Sequence, residues 1–287
     1  MEMRVRMRSK LFVPATRPEL FSKALNSAAD AICFDLEDAV PATRKSEARS
    51  NLDTFLNSPP VTHKQLLVRV NSASSNDFLL DLQAIVKPGL YAIALPKVES
   101  VDEIRCTAEL LSKIEQERGI QSPIALLITI ESPRGLRRAY ELATASPRIC
   151  GLQLGFADLL EPLGISSLHS QTRQQIRLML RLAAAEADLD CYEAAYPMLR
   201  DHAGFLAQLT DARALGFAGA SCIHPDQIAV ANQVFSPTAE EIDYANFVLA
   251  AVDEASRSGN AVAVLNGKMI DAPFVLRAKA ILHRSAQ

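Results

Sequence analysis

The sequence predicts a (β/α)8 barrel followed by a C-terminal extension of helices and a hairpin. Eight short apolar runs recur within residues 1–235, and segments with helical spacing lie between them. The runs are apolar throughout, as expected for parallel strands that are covered on both faces. An open doubly wound sheet is the weaker alternative, because no G-x-G-x-x-G sequence follows the first run and because eight strands suit a barrel.

The predicted strands are the eight apolar runs in chain order. They are Lys10–Pro14, Ala31–Leu36, Leu66–Val70, Tyr91–Pro96, Ile124–Ile130, Ile149–Gly155, Cys191–Ala195 and Gly219–Ile223. Helical spacing is clearest in three intervening segments, Pro18–Ala29, Ser100–Arg118 and Gln171–Leu189. In the last segment the apolar stripe predicts a set of core-facing residues, which are Ile176, Leu178, Met179, Leu182 and Ala183.

The pattern changes after residue 235. The predicted elements there are a helix from Ser236 to about Ser258, strands Ala261–Leu265 and Lys268–Ile270 joined by Asn266-Gly267, and a helix over Pro273–His283. Asn-Gly between two short apolar runs is typical of a type I′ hairpin. We therefore expect two domains, a barrel over residues 1–235 and an extension over residues 236–287 that forms a lid.

Composition argues against several classes of protein. Thirty basic and 33 acidic residues give a net charge of −3, too little positive charge for a domain that mainly binds nucleic acid. No run approaches the ~18 apolar residues that a membrane span needs. The five cysteines are scattered and form no C-x-x-C pair, which is typical of a reducing compartment. We expect a cytoplasmic protein with no nucleic-acid or membrane partner.

Polar side chains follow most of the predicted strands. In a barrel of this kind the active site lies at the C-terminal ends of the strands. Six of the eight ends carry charged or amide groups, namely the run Asp35–Asp38, Arg69 with Asn71, Lys97, Glu131, Asp158 and His224. Any one of them alone is more simply a helix cap or a solvated loop charge. Their recurrence on one rim predicts a functional site there.

Two carboxylates on this rim are candidate metal ligands. Glu131 and Asp158 end adjacent predicted strands, and Mg²⁺ is usually held by one or two carboxylates together with water and substrate oxygens. Arg69 offers the planar fork that suits a substrate carboxylate. A salt bridge from Arg69 to the Asp35–Asp38 run is an equally open interpretation.

Several motifs, in order along almost the whole chain, carry a family resemblance. They are LFVPATRP at 11–18, FDLEDAV at 34–40, VRVN at 68–71, LPK at 95–97, IES at 130–132, LGFAD at 154–158, GFAG at 216–219, IHPDQ at 223–227 and GKMIDAP at 267–273. Together they resemble the citrate lyase beta-subunit-like family of the HpcH/HpaI aldolase group. Malyl-CoA and citramalyl-CoA lyases are close members of that family.

The resemblance implies a role for individual residues. Glu131 and Asp158 match the two Mg²⁺ ligands of the family, and Arg69 matches the arginine that binds the carboxylate of a 2-oxo acid. The positions that match coenzyme A and substrate contacts are Phe12, Arg17, Lys23, Ala157, Ile223 and His224. Asp271 matches a carboxylate that the extension delivers to a neighbouring subunit, although from sequence alone it is simply the N-cap of the last helix.

The implied activity is Mg²⁺-dependent retro-Claisen cleavage of a 3-hydroxyacyl-CoA into acetyl-CoA and a 2-oxo acid. Glu37 and Asp38 are expected to position a water or the substrate hydroxyl, and Asp271 to protonate the enolate carbon. Citramalyl-CoA, which would give pyruvate, is the favoured substrate, with malyl-CoA and citryl-CoA as alternatives. Because Asp271 would act in a second subunit, we expect a homotrimer or a hexamer.

Three other functions stay open. A malate-synthase-like enzyme would condense acetyl-CoA with an oxo acid and then hydrolyse the thioester. A CoA-independent aldolase would act on free 2-oxo acids, but it gives Arg17 and Lys23 no evident task. An inactive structural subunit of a lyase complex would have no need of Glu131, Asp158 and Asp271 together.

Overall fold

The structure is a computed structural model that describes residues 7–58, 62–258, 263–265 and 267–285. The polypeptide divides into two compact units, Met1–Asn232 and Gln233–Gln287. Within the described residues, no helix combines the length and the apolar composition that crossing a bilayer requires.

The first unit is a closed barrel of eight parallel strands, so the predicted fold class is confirmed. Each strand pairs with the next in sequence, and β1 also pairs with β8. The strands are β1 (Ser9–Pro14), β2 (Ala31–Asp35), β3 (Gln65–Arg69), β4 (Ala92–Leu95), β5 (Ala125–Ile130), β6 (Ile149–Leu154), β7 (Asp190–Glu193) and β8 (Gly219–Cys222). All eight overlap the apolar runs of the sequence, since strands inside a helical ring are buried on both faces.

Helices connect successive strands. They are α1 (Phe21–Leu25), α2 (Lys45–Asn57), α3 (Phe78–Ile85), α4 (Val101–Arg118), α5 (Pro133–Arg137), α6 (Ala139–Ala143), α7 (Phe156–Leu160), α8 (Ser170–Glu186), α9 (His202–Ala214) and α10 (Asp226–Val234). Short 3₁₀ turns occur at Pro18–Leu20, Ala42–Arg44 and Glu161–Leu163. Ser100 caps α4 in a capping box with Glu103, and Gly119 ends it in a left-handed conformation.

Buried, mostly apolar side chains fill the lower part of the barrel interior. The buried cluster is Met7, Ala31, Cys33, Leu67, Ala92, Ala94, Leu127 and Tyr192. The interior is therefore packed and is not a channel. An open space begins only above this cluster, at the ends of the strands where the charged residues lie.

The predicted core face of α8 is wrong for most of its residues. Leu178, Met179 and Leu182 are 49%, 51% and 58% exposed. The buried face carries Arg173 and Arg177 instead, together with Ile176, Leu180 and Ala184. The two arginines face inward because Glu193, fully buried at the end of β7, requires a cationic partner.

The second unit contains α11 (Ala239–Arg257), an antiparallel hairpin of β9 (Ala263–Leu265) and β10 (Lys268–Ile270), and α12 (Ala272–Ser285). Thr238 caps α11 in a capping box with Glu241. Gly267 has φ +76°, which suits the turn of the hairpin. The predicted residues Ala261 and Asn266 lie outside the described residues. The core of this unit is formed by Ala245, Val248, Ala263, Ile270 and Ala278.

Candidate active site at the C-terminal rim of the barrel

A cavity of about 420 Å³ opens at the C-terminal ends of the barrel strands. It is the position at which barrel enzymes place their active sites. Seven of the predicted site residues line it, namely Phe12, Asp38, Arg69, Ala157, Glu131, Asp158 and Ile223. Residues from β1, β2, β3, β5 and β6 therefore meet in one space, although they are far apart in sequence.

Arg69 is oriented by Asp35 at the end of the neighbouring strand. Its Nε and Nη2 donate to the two carboxylate oxygens of Asp35 at 2.8 and 2.6 Å. Its Nη1 lies 2.9 Å from Glu37, and its guanidinium stacks 5.3 Å above the ring of Phe12. These carboxylates raise the pKa of Arg69 further above its usual value despite its burial, so the guanidinium is a fixed positive charge in the cavity wall.

Lys97 lies close to three carboxylates across the rim. Its Nζ lies 2.9 Å from Glu37, 3.4 Å from Asp38 and 3.8 Å from Asp158. Hydrogen bonding and charge interactions with Glu37 and its neighbours raise the pKa of Lys97 above its ordinary value, against a large opposing effect of burial. Lys97 has φ +54°, a left-handed conformation that is uncommon for a residue with a side chain. Lys97 lies two residues after the end of β4, and its backbone N–H donates a hydrogen bond to Glu131 at 2.7 Å.

Glu131 at the end of β5 is a buried carboxylate among other acids. Burial, and then the charges of Glu37 and Asp158, raise the pKa of Glu131 to about 7. Gly155 on the adjacent strand makes room for it, because a Cβ on Gly155 would lie 2.6 Å from the Cβ of Glu131. Glycine is therefore needed at position 155 to leave space for Glu131. The backbone does not require it, because any residue can adopt its φ of −127°.

The charges on this rim do not balance. Five carboxylates (Asp35, Glu37, Asp38, Glu131 and Asp158) surround two cations, Arg69 and Lys97. In the described part of the chain no group of three or more His, Cys, Asp or Glu side chains forms a ready-made metal cluster. Two carboxylates with an excess of negative charge fit a hard divalent cation such as Mg²⁺, which takes its remaining ligands from water and substrate.

Five other predicted site residues do not line this cavity. Arg17 is half exposed and pairs with Glu19, and Lys23 is exposed on α1. The ring of His224 lies 3.4 Å from Asp226. Glu37 lies behind the cavity wall, where it contacts Arg69 and Lys97.

Asp271 belongs to the second unit. It directly precedes α12, and its backbone carbonyl accepts hydrogen bonds from the N–H groups of Phe274 and Val275. Its side chain is exposed and borders a second cavity of about 500 Å³ within that unit.

The match to known proteins identifies the family. The family model of the HpcH/HpaI aldolase/citrate lyase family matches residues 8–225, which is most of the chain and the whole barrel. The chain belongs to this family. The prediction of this family from the sequence motifs is therefore confirmed.

Relatives within the HpcH/HpaI family cover nearly the full length. The citrate lyase subunit beta of Haemophilus influenzae is 35% identical, over 97% of this chain and 96% of the relative. A (3S)-malyl-CoA thioesterase of Cereibacter sphaeroides is also 35% identical, over 97% of this chain and 94% of the relative. These relatives thus include both a lyase subunit and a thioesterase.

Solved structures similar to this chain contain magnesium together with oxo acids, and one of them also contains coenzyme A. The protein CitE of Mycobacterium tuberculosis in complex with magnesium, acetoacetate and coenzyme A has a TM-score of 0.80 and 31% identity, over 99% of this chain and all of that chain. A citrate lyase beta subunit from the same organism, complexed with oxaloacetate and magnesium, has a TM-score of 0.68 and 30% identity, over 83% of this chain and all of that one. Magnesium and coenzyme A are therefore ligands of homologous structures.

Sequence reasoning missed the part that four residues play in the site, namely Asp35, Lys97, Gln153 and Ser221. Asp35 was assigned no role of its own, although it sets the orientation of Arg69. Lys97 was noticed only as a charged strand end, and the signal for it was its place just after β4. Gln153 and Ser221 line the cavity, but they read as ordinary polar positions inside strands.

Proposed function

We propose that this chain is a Mg²⁺-dependent lyase that cleaves a 3-hydroxyacyl-CoA into acetyl-CoA and a 2-oxo acid. The observation that carries the proposal is the pair Glu131 and Asp158 in a rim with more carboxylates than cations, beside the fixed guanidinium of Arg69. Such a rim would suit a divalent cation and a carboxylate substrate side by side.

Glu131 and Asp158 would hold Mg²⁺ in this proposal. When bound, the ion would supply Lewis acidity toward the oxygen that changes between hydroxyl and ketone. Lys97 would shift away from Asp158, which it approaches only to 3.8 Å, while its contact with Glu37 keeps it on the rim.

Arg69 would bind and orient the carboxylate of the 2-oxo acid portion. Because Asp35 holds the guanidinium on two sides, Arg69 has little conformational freedom left to lose when substrate binds. Glu37 and Asp38 would position a water or the substrate hydroxyl through their contacts with Arg69 and Lys97.

Asp271 would complete the reaction from a second copy of the chain. Cleavage of the carbon–carbon bond would leave its electron pair on the thioester enolate, while the hydroxyl proton passes to the water that Glu37 and Asp38 position. The carboxyl group of Asp271 would then give a proton to the enolate carbon. Its exposed position before α12 supports a role outside its own unit. The active molecule would then be a homo-oligomer, a trimer or a pair of trimers.

The remaining predicted contacts concern the thioester. Arg17 and Lys23 are both exposed cations that follow β1, and they would meet the phosphates of coenzyme A. Phe12, Ala157 and Ile223 line the cavity and would contact the acyl portion, with His224 beside them at the end of β8. None of the five cysteines, all of which the structure describes, forms a disulfide, which supports a place in the reducing cytoplasm.

The sequence favours citramalyl-CoA as the substrate, and malyl-CoA and citryl-CoA differ from it only at the hydroxyl-bearing carbon. A cleavage assay with Mg²⁺ that offers all three thioesters and identifies both products tests the proposal. Acetyl-CoA together with pyruvate, glyoxylate or oxaloacetate is the expected result. No cleavage of any thioester by the folded, Mg²⁺-bound protein would contradict it.

Thioester hydrolysis is a second candidate, favoured by the 35% identity to a (3S)-malyl-CoA thioesterase. The same assay separates the two activities, since hydrolysis of the substrate releases free coenzyme A with its thiol and leaves the carbon skeleton intact.

A further inference from the structure

We infer that Lys10, Gln153 and Ser221 form a subsite at the floor of the cavity, and that this subsite binds a carboxylate carried by the substituent on the hydroxyl-bearing carbon of the substrate. The inference rests on the proposed function, and it concerns which 3-hydroxyacyl-CoA is used. None of the three residues belongs to the predicted site.

Lys10 is a buried lysine inside the barrel. Its side chain is 1% exposed, and its register partners are Ala31 on β2 and Ser221 on β8. Its ammonium donates a hydrogen bond to Oε1 of Gln153 on β6, and it lies 5.4 and 5.8 Å from the ring centres of Phe12 and Tyr192. Lys10 thus lies beneath the charged rim, just under the open cavity.

No carboxylate neutralises Lys10 in the described part of the chain. The ionisable groups that most affect it are the thiols of Cys33, Cys150 and Cys222, together with the cation Arg69. Burial lowers the pKa of Lys10 to about 8, so most molecules still carry the ammonium at pH 7. A buried cation without a counter-ion is costly to a fold, and an anionic ligand would supply the missing charge.

Lys10 also decides which end of the Gln153 amide faces the cavity. Because the ammonium occupies Oε1, the free end of the side chain is Nε2, which can only donate. Gln153 lines the cavity, and Nε2 has no acceptor among the described residues. Ser221 lines the same cavity, and its buried hydroxyl has no hydrogen-bond partner among those residues either.

The floor therefore presents two hydrogen-bond donors backed by a positive charge. The thioester arm must leave through the mouth of the cavity, so the substituent on the hydroxyl-bearing carbon points inward. A hydrogen or a methyl group at that place would leave both donors unsatisfied, whereas a carboxymethyl group would satisfy them and neutralise Lys10. The floor therefore favours citryl-CoA over citramalyl-CoA, the substrate that the sequence alone favours.

Binding of the free 2-oxo acid products tests the subsite without turnover. We would titrate the Mg²⁺-loaded protein calorimetrically with freshly dissolved oxaloacetate, with 4-methyl-2-oxopentanoate, in which two methyl groups replace the inner carboxylate oxygens, and with pyruvate. We expect oxaloacetate to bind at least about tenfold more tightly than 4-methyl-2-oxopentanoate, whose side arm is uncharged, because one charge-assisted hydrogen bond supplies about that factor. Equal binding of the two would overturn the inference.

Two variants test whether the preference for oxaloacetate arises from Lys10 and Gln153 at the floor of the cavity. Lys10→Met removes the charge while keeping the shape, and it should fold because removing an unpaired buried charge relieves strain on the fold. Gln153→Glu instead places an anion beside Lys10. Each variant should lose the preference for oxaloacetate and change pyruvate binding by less than about twofold. Lys113→Met on the exposed face of α4 is the control and should keep the preference.

The outcomes separate the two proposals. If the wild-type protein binds none of the oxo acids in the presence of Mg²⁺, the proposed function and the subsite both fail. If pyruvate binds but folded Lys10→Met and Gln153→Glu retain the wild-type preference for oxaloacetate, the subsite alone fails.

Discussion

Glu131 is a buried carboxylate that forms no ion pair with a side chain in the described part of the chain. Its one strong polar contact is the backbone N–H of Lys97, and its nearest charged neighbours include Glu37 and Asp158. The free energy of the folded protein is therefore sensitive to whether this residue carries a proton or a cation. That sensitivity can be measured without any substrate.

The stability of the metal-free protein should fall as the pH rises from about 5 to 8. The pKa of Glu131 is about 7 in the folded protein, whereas the ordinary value for a glutamate is 4.5. Between these two pH values the folded protein therefore binds more protons than the unfolded chain does. The free energy of unfolding then decreases across this window, by up to about 3 kcal/mol. Thermal unfolding of the wild type and Glu131→Gln at both pH values measures the effect, which the variant should lack.

Mg²⁺ should reverse this trend. At about one hundred times the dissociation constant, a bound ion adds about 2.7 kcal/mol to the free energy of unfolding, and only the deprotonated carboxylates bind it. Glu131→Gln should lose most of the Mg²⁺-dependent rise in Tm, while Glu141→Gln on the outer helix α6 should keep it. An unchanged rise in Glu131→Gln would remove this residue from the ligand set.

Gly155→Ala should weaken the site without unfolding the barrel. The new Cβ would overlap the side chain of Glu131, which must then turn away from the cavity. Because φ at this position is ordinary, the backbone itself tolerates alanine. We expect weaker Mg²⁺ binding, measured by calorimetry, with a far-UV circular dichroism spectrum like that of the wild type. Wild-type affinity would show that Glu131 is not held by this contact.

At the scale of residues, the sequence predicted which side chains lie on the rim but not their pairing. Arg69 illustrates the limit, since a substrate role and a salt bridge to the Asp35–Asp38 run were both open, and the bridge to Asp35 does form. Lys10 illustrates it further. The sequence does not show where the ammonium group of Lys10 lies, because its position depends on a hydrogen bond to Gln153, which is on a strand far along the chain.

At the scale of elements, α8 and the end of β7 are joined by buried charges. Glu193 accepts from Nε and Nη2 of Arg177 at 2.9 and 3.0 Å and from the amide of Gln208 at 3.0 Å. Arg177 and Arg173 also stack on Phe156, at 5.5 and 5.1 Å, and Phe156 begins α7, which carries Asp158. The network thus supports the helix that presents a proposed metal ligand.

Glu193→Gln should destabilise the barrel by about 3–5 kcal/mol, since it leaves two buried arginines without an anion. The midpoint of urea unfolding measures the change. Glu141→Gln removes an exposed partner of Arg138 and should cost no more than about 1 kcal/mol. Equal effects of the two substitutions would mean that the buried network adds nothing net to stability.

The elements themselves were largely predictable, and α8 shows where pattern reading stops. Hydrophobic runs locate strands because both faces of each strand are covered. Leu178, Met179 and Leu182 also form an apolar stripe, yet they lie on the outer face. The helix is oriented by the buried Glu193, which needs Arg173 and Arg177 as charged partners. A search for apolar residues at helical spacing does not detect this requirement.

At the scale of the whole molecule, the proposed catalytic groups lie in different units, Arg69 in the barrel and Asp271 in the extension. Mixing Asp271→Asn subunits with Arg69→Ala subunits should restore activity if each site takes the two residues from different chains. An equal mixture should reach about one quarter of wild-type activity, because random assembly gives that share of intact sites. No recovery after subunit exchange, verified by mass, would refute sharing.

The barrel as a whole was predictable because eight repeated units leave few topologies. The cavity floor was not, since β1 meets β8 only when the sheet closes, and the sequence does not display which residues then face one another.

The closing of the sheet has a consequence for synthesis. Strand β1 pairs with β8 through Ser9, Lys10 and Leu11, which lie opposite Ala220, Ser221 and Cys222. This edge of β1 therefore stays unpaired until β8 has been synthesised. Until then a nascent chain holds an open sheet with two unpaired edges, which other chains can join. The cavity floor spans this seam through Lys10 and Ser221. The pocket therefore first exists when β8 is free to pair with β1, and any delay before that pairing lengthens the period in which aggregation competes with folding.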